Sequence, residues 1–203
     1  MVRVKICGIT SLADALVAVE AGADALGLNF WPGTQRCVAE PVAAEIARAL
    51  CDKVLLVGVF VDAPYEEIAR LRDALGLGCV QLHGDEPPAL LARFLPHAYK
   101  AVRVRGSGVA AEVARFGGEH VLLDAYVAGM PGGTGARFDW TLAEQIARQR
   151  KLTLAGGLTP DNVAEAVRAV RPYCVDTASG VESAPGVKDA ARVRAFIEQA
   201  KSA

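Results

Sequence analysis

Four residues whose side chains can take up or release a proton stand at or near the ends of short, mainly apolar runs: Cys7, His83, Asp124 and Asp176. A thiol and a carboxyl group can serve as general base and general acid. Each residue also has an ordinary structural interpretation, because a lone cysteine is usually an inert core residue and a strand-end aspartate often caps the next turn. Their recurrence at equivalent places in the sequence indicates a shared candidate site.

The first of these runs, residues 2–7 (VRVKIC), alternates in polarity. Strand alternation places Lys5 and Cys7 on one face, with Lys5 about 7 Å below the thiol, and puts the aliphatic residues on the other face. At that depth Lys5 needs a carboxylate partner, for which Asp176 and Asp124 are candidates, and its charge would favour the thiolate of Cys7. The alternative is that Lys5 only completes a structural ion pair.

Apolar runs alternate with amphipathic segments along the whole chain, about every 25 residues, which is typical of repeated βα units. Strands are predicted at residues 2–7, 24–29, 54–60, 79–83, 98–104, 120–124, 152–155 and 173–177. Helices are predicted at residues 11–21, 41–51, 64–75, 86–95, 108–115, 140–149, 160–170 and 187–200. Eight units predict one α/β domain over residues 1–203, a (β/α)8 TIM barrel with eight parallel strands. A doubly wound open sheet is the alternative, and it normally has fewer strands.

Two glycine-containing loops late in the chain, residues 155–158 and 178–181, follow the predicted seventh and eighth strands. Barrels often bind phosphate with the backbone N–H groups of these two loops, which glycine allows to approach a ligand closely. A third stretch, residues 131–135, could act as a lid over the same phosphate, and each Gly-Gly pair by itself indicates only a turn. The candidate phosphate-binding residues are Gly133, Gly156, Gly157, Ser179 and Gly180.

Composition limits the partners that this chain can have. The formal net charge is −1, so no broad field would attract nucleic acid or an anionic membrane. The first residues lack a charged leader with an apolar stretch, and no later run could span a bilayer. The five cysteines are widely spaced and form no CxxC motif, which argues against a disulfide framework or a zinc site. We therefore expect a cytoplasmic protein with no nucleic acid, membrane or metal partner. The glycine loops predict a phosphorylated small-molecule substrate, no cofactor is expected, and the sequence leaves both a monomer and a homodimer open.

Several motifs, in this order, resemble those of the phosphoribosylanthranilate isomerase family over essentially the whole chain. They are residues 5–10 (KICGIT), 81–84 (QLHG), 123–125 (LDA), 132–135 (GGTG), 138–140 (FDW), 154–158 (LAGGL) and 162–163 (NV). Two stretches depart from the family pattern: residues 33–36 read GTQR instead of a serine-led motif, and Ala178-Ser179 replaces paired serines. Arg36 is retained in the first stretch, and the backbone donors are retained in the second.

The resemblance implies an Amadori rearrangement in tryptophan biosynthesis. It would convert N-(5'-phosphoribosyl)anthranilate into 1-(2-carboxyphenylamino)-1-deoxyribulose 5-phosphate. It assigns Cys7 as the base that removes the sugar C2 proton and Asp124 as the acid that protonates the ring oxygen. This requires surroundings that favour the thiolate of Cys7 and the protonated form of Asp124. Arg36 would bind the anthranilate carboxylate with two hydrogen bonds, and His83 would contact the substrate.

Three other functions remain open at this point. A histidine-pathway aldose-ketose isomerase shares the fold and reaction type, but it would be expected to have Asp at the position of Cys7. A non-catalytic phospho-metabolite sensor would need the phosphate loops without an acid and a base. A flavodoxin-like regulatory domain would have fewer βα units. Without the resemblance, Arg36 would be interpreted as a solvated loop arginine and His83 as a structural strand-end histidine.

Overall fold

The structure of the protein, a computed structural model, describes residues 1–104, 108–124 and 140–203 and contains a closed barrel of eight parallel strands. The strands are β1 (Arg3–Cys7), β2 (Ala25–Asn29), β3 (Leu55–Phe60), β4 (Cys79–Leu82), β5 (Ala98–Arg103), β6 (His120–Asp124), β7 (Lys151–Ala155) and β8 (Cys174–Thr177). Each strand pairs with the next in sequence, and the pairing of β8 with β1 closes the barrel. The predicted (β/α)8 barrel is confirmed.

Eight helices follow the strands in turn among the described residues. They are α1 (Leu12–Glu20), α2 (Glu40–Leu50), α3 (Tyr65–Leu75), α4 (Pro88–Ala92), α5 (Val109–Ala114), α6 (Trp140–Ala147), α7 (Val163–Val170) and α8 (Ala190–Lys201). The predicted cap of α1 is present, since the Ser11 side chain accepts a hydrogen bond from the backbone N–H of Asp14 at the beginning of this helix. Among the residues that the structure describes, no helix has the length and apolar character needed to cross a membrane.

Three helices begin or end three residues away from the predicted bounds, and one of them, α7, begins at Val163 rather than at residue 160 because residues 160–162 form a turn. The predicted helix at 86–95 is shortened to α4 because Glu86 instead accepts hydrogen bonds from the backbone N–H groups of Asp62 and Gly84, and because Pro96 follows closely. The predicted helix at 187–200 begins only at Ala190. Its first residues instead form the short strand β10 (Val187–Lys188), which pairs with β9 (Glu182–Ala184). This small hairpin was not among the elements predicted from the sequence.

Side-chain alternation separates two cores. Val4 and Ile6 of β1 are fully buried in the apolar layer beneath the helices, whereas Lys5 is 2% exposed and lies inside the barrel. The barrel interior combines small apolar residues with buried polar ones. The buried polar group includes Lys5, Gln81, Thr153 and Asp176. The predicted division of β1 into an aliphatic face and a polar face is confirmed.

His120 begins β6 inside this interior. One ring nitrogen lies 2.7 Å from the Thr153 hydroxyl, and the ring centroid lies 4.1 Å from that of Tyr99. Burial, together with the positive charges of Lys151 and Lys5, lowers the pKa of His120 from 6.5 to about 4. The folded protein therefore holds this imidazole neutral.

We expect this histidine to make the protein less stable in mild acid. Between pH 6.5 and about 4, the unfolded chain binds a proton that folded His120 excludes. The free energy of unfolding should therefore fall by about 2–3 kcal/mol as the pH decreases through this window. Urea titrations across the window measure the slope. A His120→Gln variant should flatten the slope, whereas the exposed control His97→Gln should keep it. Equal slopes in both variants would contradict the prediction.

Candidate active site

The carboxyl ends of the strands bring three of the predicted residues to one mouth of the barrel. Cys7 ends β1, Asp124 ends β6 and His83 directly follows β4. Asp176 does not join them, because it pairs in register with Lys5 within the strand layer below. The thiol and the carboxyl group therefore lie on strands separated by β7 and β8, at the end of the barrel where enzymes of this fold carry out their chemistry.

Cys7 lies beside a buried cation. Lys5 Nζ is 2.9 Å from Asp176 Oδ2, so Asp176 is the partner of Lys5. The neighbouring strand leaves room for the pair at Gly27, where an added Cβ would lie 2.6 Å from Cys7 Sγ and 3.0 Å from Lys5 Nζ. The thiol and the ammonium therefore share the space over Gly27. Glycine within a strand often marks such a close approach, and Gly27 was not among the site residues predicted from the sequence.

The protonation of this group differs from the expectation. Burial raises the pKa of Cys7, and the charge and hydrogen bond of Lys5 only partly offset that effect. Burial also lowers the pKa of Lys5, but its acidic partners, with the charge of Asp176 first among them, outweigh that effect, and the net pKa is raised well above its usual value. Near neutral pH Lys5 is therefore a cation, and the resting form of Cys7 is the thiol rather than the expected thiolate.

Arg36 is held in place next to Cys7. Its Nε and Nη2 donate hydrogen bonds of 2.9 and 2.6 Å to the carboxylate of Glu182. Its side chain also packs on Gly8, where an added Cβ would lie 2.9 Å from Arg36 Cδ, and Gly8 has a φ of +70°. The interpretation of Arg36 as a solvated loop arginine is therefore wrong. Glu182 was likewise not among the site residues predicted from the sequence.

Glu182 is itself buried between two cations. Lys188 Nζ, whose side chain is 0% exposed, lies 2.9 Å from Glu182 Oε1. Burial acts to raise the pKa of Glu182, but the hydrogen bonds from Arg36 and Lys188 prevail and lower it. The same hydrogen bond to Glu182 raises the pKa of Arg36. The carboxylate thus fixes one edge of the Arg36 guanidinium. The hairpin supplies both this carboxylate, from Glu182 in β9, and the second cation, from Lys188 in β10.

His83 and Asp124 are in contact at the other side of the mouth. His83 Nε2 lies 3.3 Å from Asp124 Oδ2. The segment after β4 is braced by Lys100, which donates a 2.7 Å hydrogen bond to the carbonyl of Gly84 and lies 3.2 Å from Glu86. A histidine that is hydrogen-bonded to the candidate acid can orient that carboxyl group as well as contact a ligand.

The two predicted phosphate loops touch each other. Thr177 Oγ1 donates a 2.8 Å hydrogen bond to the carbonyl of Leu158, and Gly180 lies so close to that carbonyl that a side chain there would collide with it. Gly156 and Gly157 have φ values of +95° and +69°, and a Cβ at Gly157 would meet no described atom within 4 Å. Gly157 therefore lines open space at the mouth.

Ser179 opens a short 3-10 helix (Ser179–Val181) and is exposed. Gly133 and the predicted lid over residues 131–135 lie outside the described residues. Within residues 1–104, 108–124 and 140–203, no group of three or more His, Cys, Asp or Glu side chains could hold a metal ion. The described site thus combines a thiol beside a lysine, a carboxyl beside a histidine, a fixed arginine and two glycine loops.

A closed parallel barrel with these groups at its carboxyl mouth defines the class of (β/α)8-barrel enzymes. The family model described as N-(5'phosphoribosyl)anthranilate (PRA) isomerase matches residues 4–199. The chain therefore belongs to this isomerase family.

Individual relatives agree with the family model. An N-(5'-phosphoribosyl)anthranilate isomerase of Geobacter sp. (strain M21) is 49% identical over 201 residues, covering 99% of this chain and 98% of the relative. The crystal structure of phosphoribosyl anthranilate isomerase from Thermotoga maritima superimposes with a TM-score of 0.91 at 41% identity, over 100% of both chains. Another solved phosphoribosyl anthranilate isomerase is in complex with reduced 1-(o-carboxyphenylamino)-1-deoxyribulose 5-phosphate. It superimposes with a TM-score of 0.86 at 40% identity, over 100% of both chains.

Proposed function

We propose that the protein isomerises N-(5'-phosphoribosyl)anthranilate to 1-(2-carboxyphenylamino)-1-deoxyribulose 5-phosphate in tryptophan biosynthesis, with Cys7 as the general base and Asp124 as the general acid. The observation that carries this proposal is the placement of a thiol and a carboxyl group on separate strands of one barrel mouth, in a chain that belongs to this isomerase family. The rearrangement needs one proton donor and one proton acceptor acting on different atoms of a sugar.

The proposed chemistry uses these two groups one after the other. Asp124 gives its proton to the ribose ring oxygen, the bond from C1 to that oxygen breaks, and the lone pair of the anthranilate nitrogen forms an iminium ion. Cys7, as thiolate, then takes the proton from C2, and the resulting enolamine tautomerises to the ketose. Lys5 stabilises the thiolate once it forms, because its charge acts on the Cys7 sulfur. Solvent exchange restores both groups.

Arg36 is the proposed binding group for the anthranilate carboxylate. Glu182 takes the Nε and one Nη2 hydrogen of the guanidinium. The edge formed by Nη1 and Nη2 has the geometry for a second, paired hydrogen bond to a carboxylate. Because Arg36 packs on Gly8, which follows Cys7 directly, a substrate bound there would have its amino-sugar bond close to the thiol.

We assign the substrate phosphate to the touching loops that contain Gly156, Gly157, Ser179 and Gly180. The loop after β8 has lost one hydroxyl relative to the family pattern, at Ala178, so its contribution is from backbone donors and Ser179. Positive φ values at Gly156 and Gly157 turn the backbone of the loop after β7 into a conformation that other residues adopt with strain. Gly133 remains a proposed phosphate ligand.

Gly157→Ala should raise the KM for the phosphorylated substrate by about 10-fold or more, because the new methyl group enters the proposed phosphate space. Gly76→Ala is the matched control: Gly76 also has a positive φ, of +60°, and nothing within 4 Å of an added Cβ, but it ends α3. Both variants should lose about 1 kcal/mol of stability from backbone strain. Steady-state kinetics and thermal unfolding separate the two effects. A KM that is equal in both variants would place the phosphate elsewhere.

A growth test distinguishes the proposed function from its alternatives. The gene should restore growth without tryptophan to a strain that lacks this isomerase. Failure by soluble, folded protein would favour the non-catalytic phospho-metabolite sensor. Rescue of a strain that lacks the histidine-pathway isomerase, without rescue of the tryptophan auxotroph, would favour that enzyme instead.

The remaining expectations belong to the same proposal. We expect a cytoplasmic protein that needs no metal or cofactor and that binds neither nucleic acid nor membranes. We also expect the protein to be a monomer or a homodimer. Size-exclusion chromatography with light scattering distinguishes the two states.

A further inference from the structure

A chain of three hydrogen bonds leads from Asp124 into the barrel interior. His83 Nε2 lies 3.3 Å from Asp124 Oδ2, and His83 Nδ1 lies 2.8 Å from Gln81 Nε2. Gln81 Oε1 in turn accepts a 2.9 Å hydrogen bond from the hydroxyl of Tyr99. Gln81 and Tyr99 are only 1% and 2% exposed, so their polar atoms have little access to water. The chemistry proposed above uses neither of these two residues.

The chain has a defined direction. Burial raises the pKa of Tyr99 well above its usual value, so the phenol keeps a proton to donate. The Tyr99 hydroxyl donates this hydrogen to Gln81 Oε1, 2.9 Å away. With its Oε1 occupied by Tyr99, the Gln81 amide presents its N–H groups to the ring of His83.

This direction determines the tautomer of His83. A neutral imidazole has one acceptor nitrogen and one donor nitrogen. Because Nδ1 faces an amide donor, it must be the acceptor, and the ring hydrogen must lie on Nε2. The Nε2–H group then donates to Asp124 Oδ2. Such a bond directs the transferable proton of Asp124 to Oδ1 and stabilises the carboxylate that remains after proton transfer.

We propose that Gln81, oriented by Tyr99, is a positioning residue that fixes the Nε2–H tautomer of His83 and thereby orients the acid Asp124. The inference rests on the proposed role of Asp124. The same hydrogen-bond chain connects the surroundings of Asp124 with those of Cys7, since the charge of Lys5 acts on both Cys7 and Tyr99.

The tautomer can be measured directly by NMR on protein labelled with ¹⁵N-histidine, at a slightly alkaline pH and without substrate. The chain has three histidines, so His97→Gln and His120→Gln assign the signals. Wild-type His83 should show a protonated Nε2 and an unprotonated Nδ1. Gln81→Met, which keeps the length of the side chain but removes its hydrogen bonds, should give a mixture of both tautomers. A wild-type Nδ1–H tautomer, or no change in Gln81→Met, would overturn the proposal.

Kinetics provide the second readout. Gln81→Met should lower kcat about 10- to 100-fold, as loss of an outer hydrogen-bond partner typically does, and leave KM nearly unchanged. Thr153→Val is the matched control, because Thr153 is 1% exposed in the same interior and bonds a different histidine, His120. It should retain kcat and the His83 tautomer. Equal losses of kcat in the two variants would mean that Gln81 has only a packing role.

Two further outcomes separate this inference from the proposed function. If Gln81→Met does not fold, Tyr99→Phe tests the same chain, because without the hydroxyl the Gln81 amide is free to turn; it should lower kcat and mix the tautomers. An active wild-type enzyme with normal kcat in the Gln81 and Tyr99 variants would refute only the positioning role. An inactive wild-type protein with the Nε2–H tautomer would refute the proposed function and leave the tautomer assignment intact.

Discussion

Replacing Cys7 with serine should lower kcat by about 10²- to 10⁴-fold or more, while the protein still binds the reduced product analogue. Serine keeps the size of the side chain over Gly27, but its hydroxyl is far too weak an acid to supply an oxyanion base near neutral pH. Lys5, which supports the thiolate, cannot compensate for this difference. Binding should persist because Arg36 and the two glycine loops are unchanged. Stopped-flow turnover and fluorescence titration measure the two effects.

The same variant should change the pH dependence. In the wild type, kcat/KM should rise with pH as Cys7 loses its proton, and burial, which raises the pKa of Cys7, places this rise in the alkaline range. Cys7→Ser should lack that rise. Cys174→Ser is the control, because Cys174 is also a buried barrel thiol, with a pKa raised to about 12, but it lies at the start of β8. Near-normal kcat with an unchanged profile in Cys7→Ser would mean that the base is another group.

Replacing Asp124 with asparagine should cause a loss of kcat of similar size, about 10²- to 10⁴-fold. The amide has nearly the same shape and can still accept the hydrogen bond from His83 Nε2, but it has no acidic proton for the ribose ring oxygen. Affinity for the reduced product analogue should stay close to that of the wild type, since the analogue no longer requires proton transfer.

The control for this variant is Asp161→Asn, which changes an exposed carboxylate on the segment between β7 and α7. It has the same change in charge and should keep normal turnover. If Asp124→Asn were as active as Asp161→Asn, Asp124 would have only a structural role, and His83 would be the next candidate for the acid.

The sequence was sufficient to predict the barrel, because hydrophobic periodicity is repeated eight times and each unit reinforces the same architecture. It was also sufficient to place Lys5 and Cys7 on one face of β1, because strand alternation is a local property. The bounds of α4 and α8 were less accurate. The start of α4 depends on Glu86, whose side chain accepts hydrogen bonds from the backbone of the loops after β3 and β4, and the start of α8 depends on Lys188, which is in β10.

The partners of the site residues could not be predicted, because they come from distant parts of the chain. Arg36 and Glu182 are 146 positions apart, and Lys5 and Asp176 are 171 positions apart. The sequence offered two carboxylates as partners of Lys5, and only the register of β8 against β1 selects Asp176. The raised pKa of Cys7 was likewise hidden, because it reflects a balance between burial and one nearby charge.

The most direct test of the account is an assay of the purified wild-type protein, after EDTA treatment and dialysis, with freshly generated N-(5'-phosphoribosyl)anthranilate. We predict conversion to 1-(2-carboxyphenylamino)-1-deoxyribulose 5-phosphate, followed by fluorescence and identified by mass spectrometry, and almost none with Cys7→Ser or Asp124→Asn at the same concentration. The account would be contradicted if the folded wild-type protein left this substrate unchanged, or if both variants converted it as fast as the wild type does.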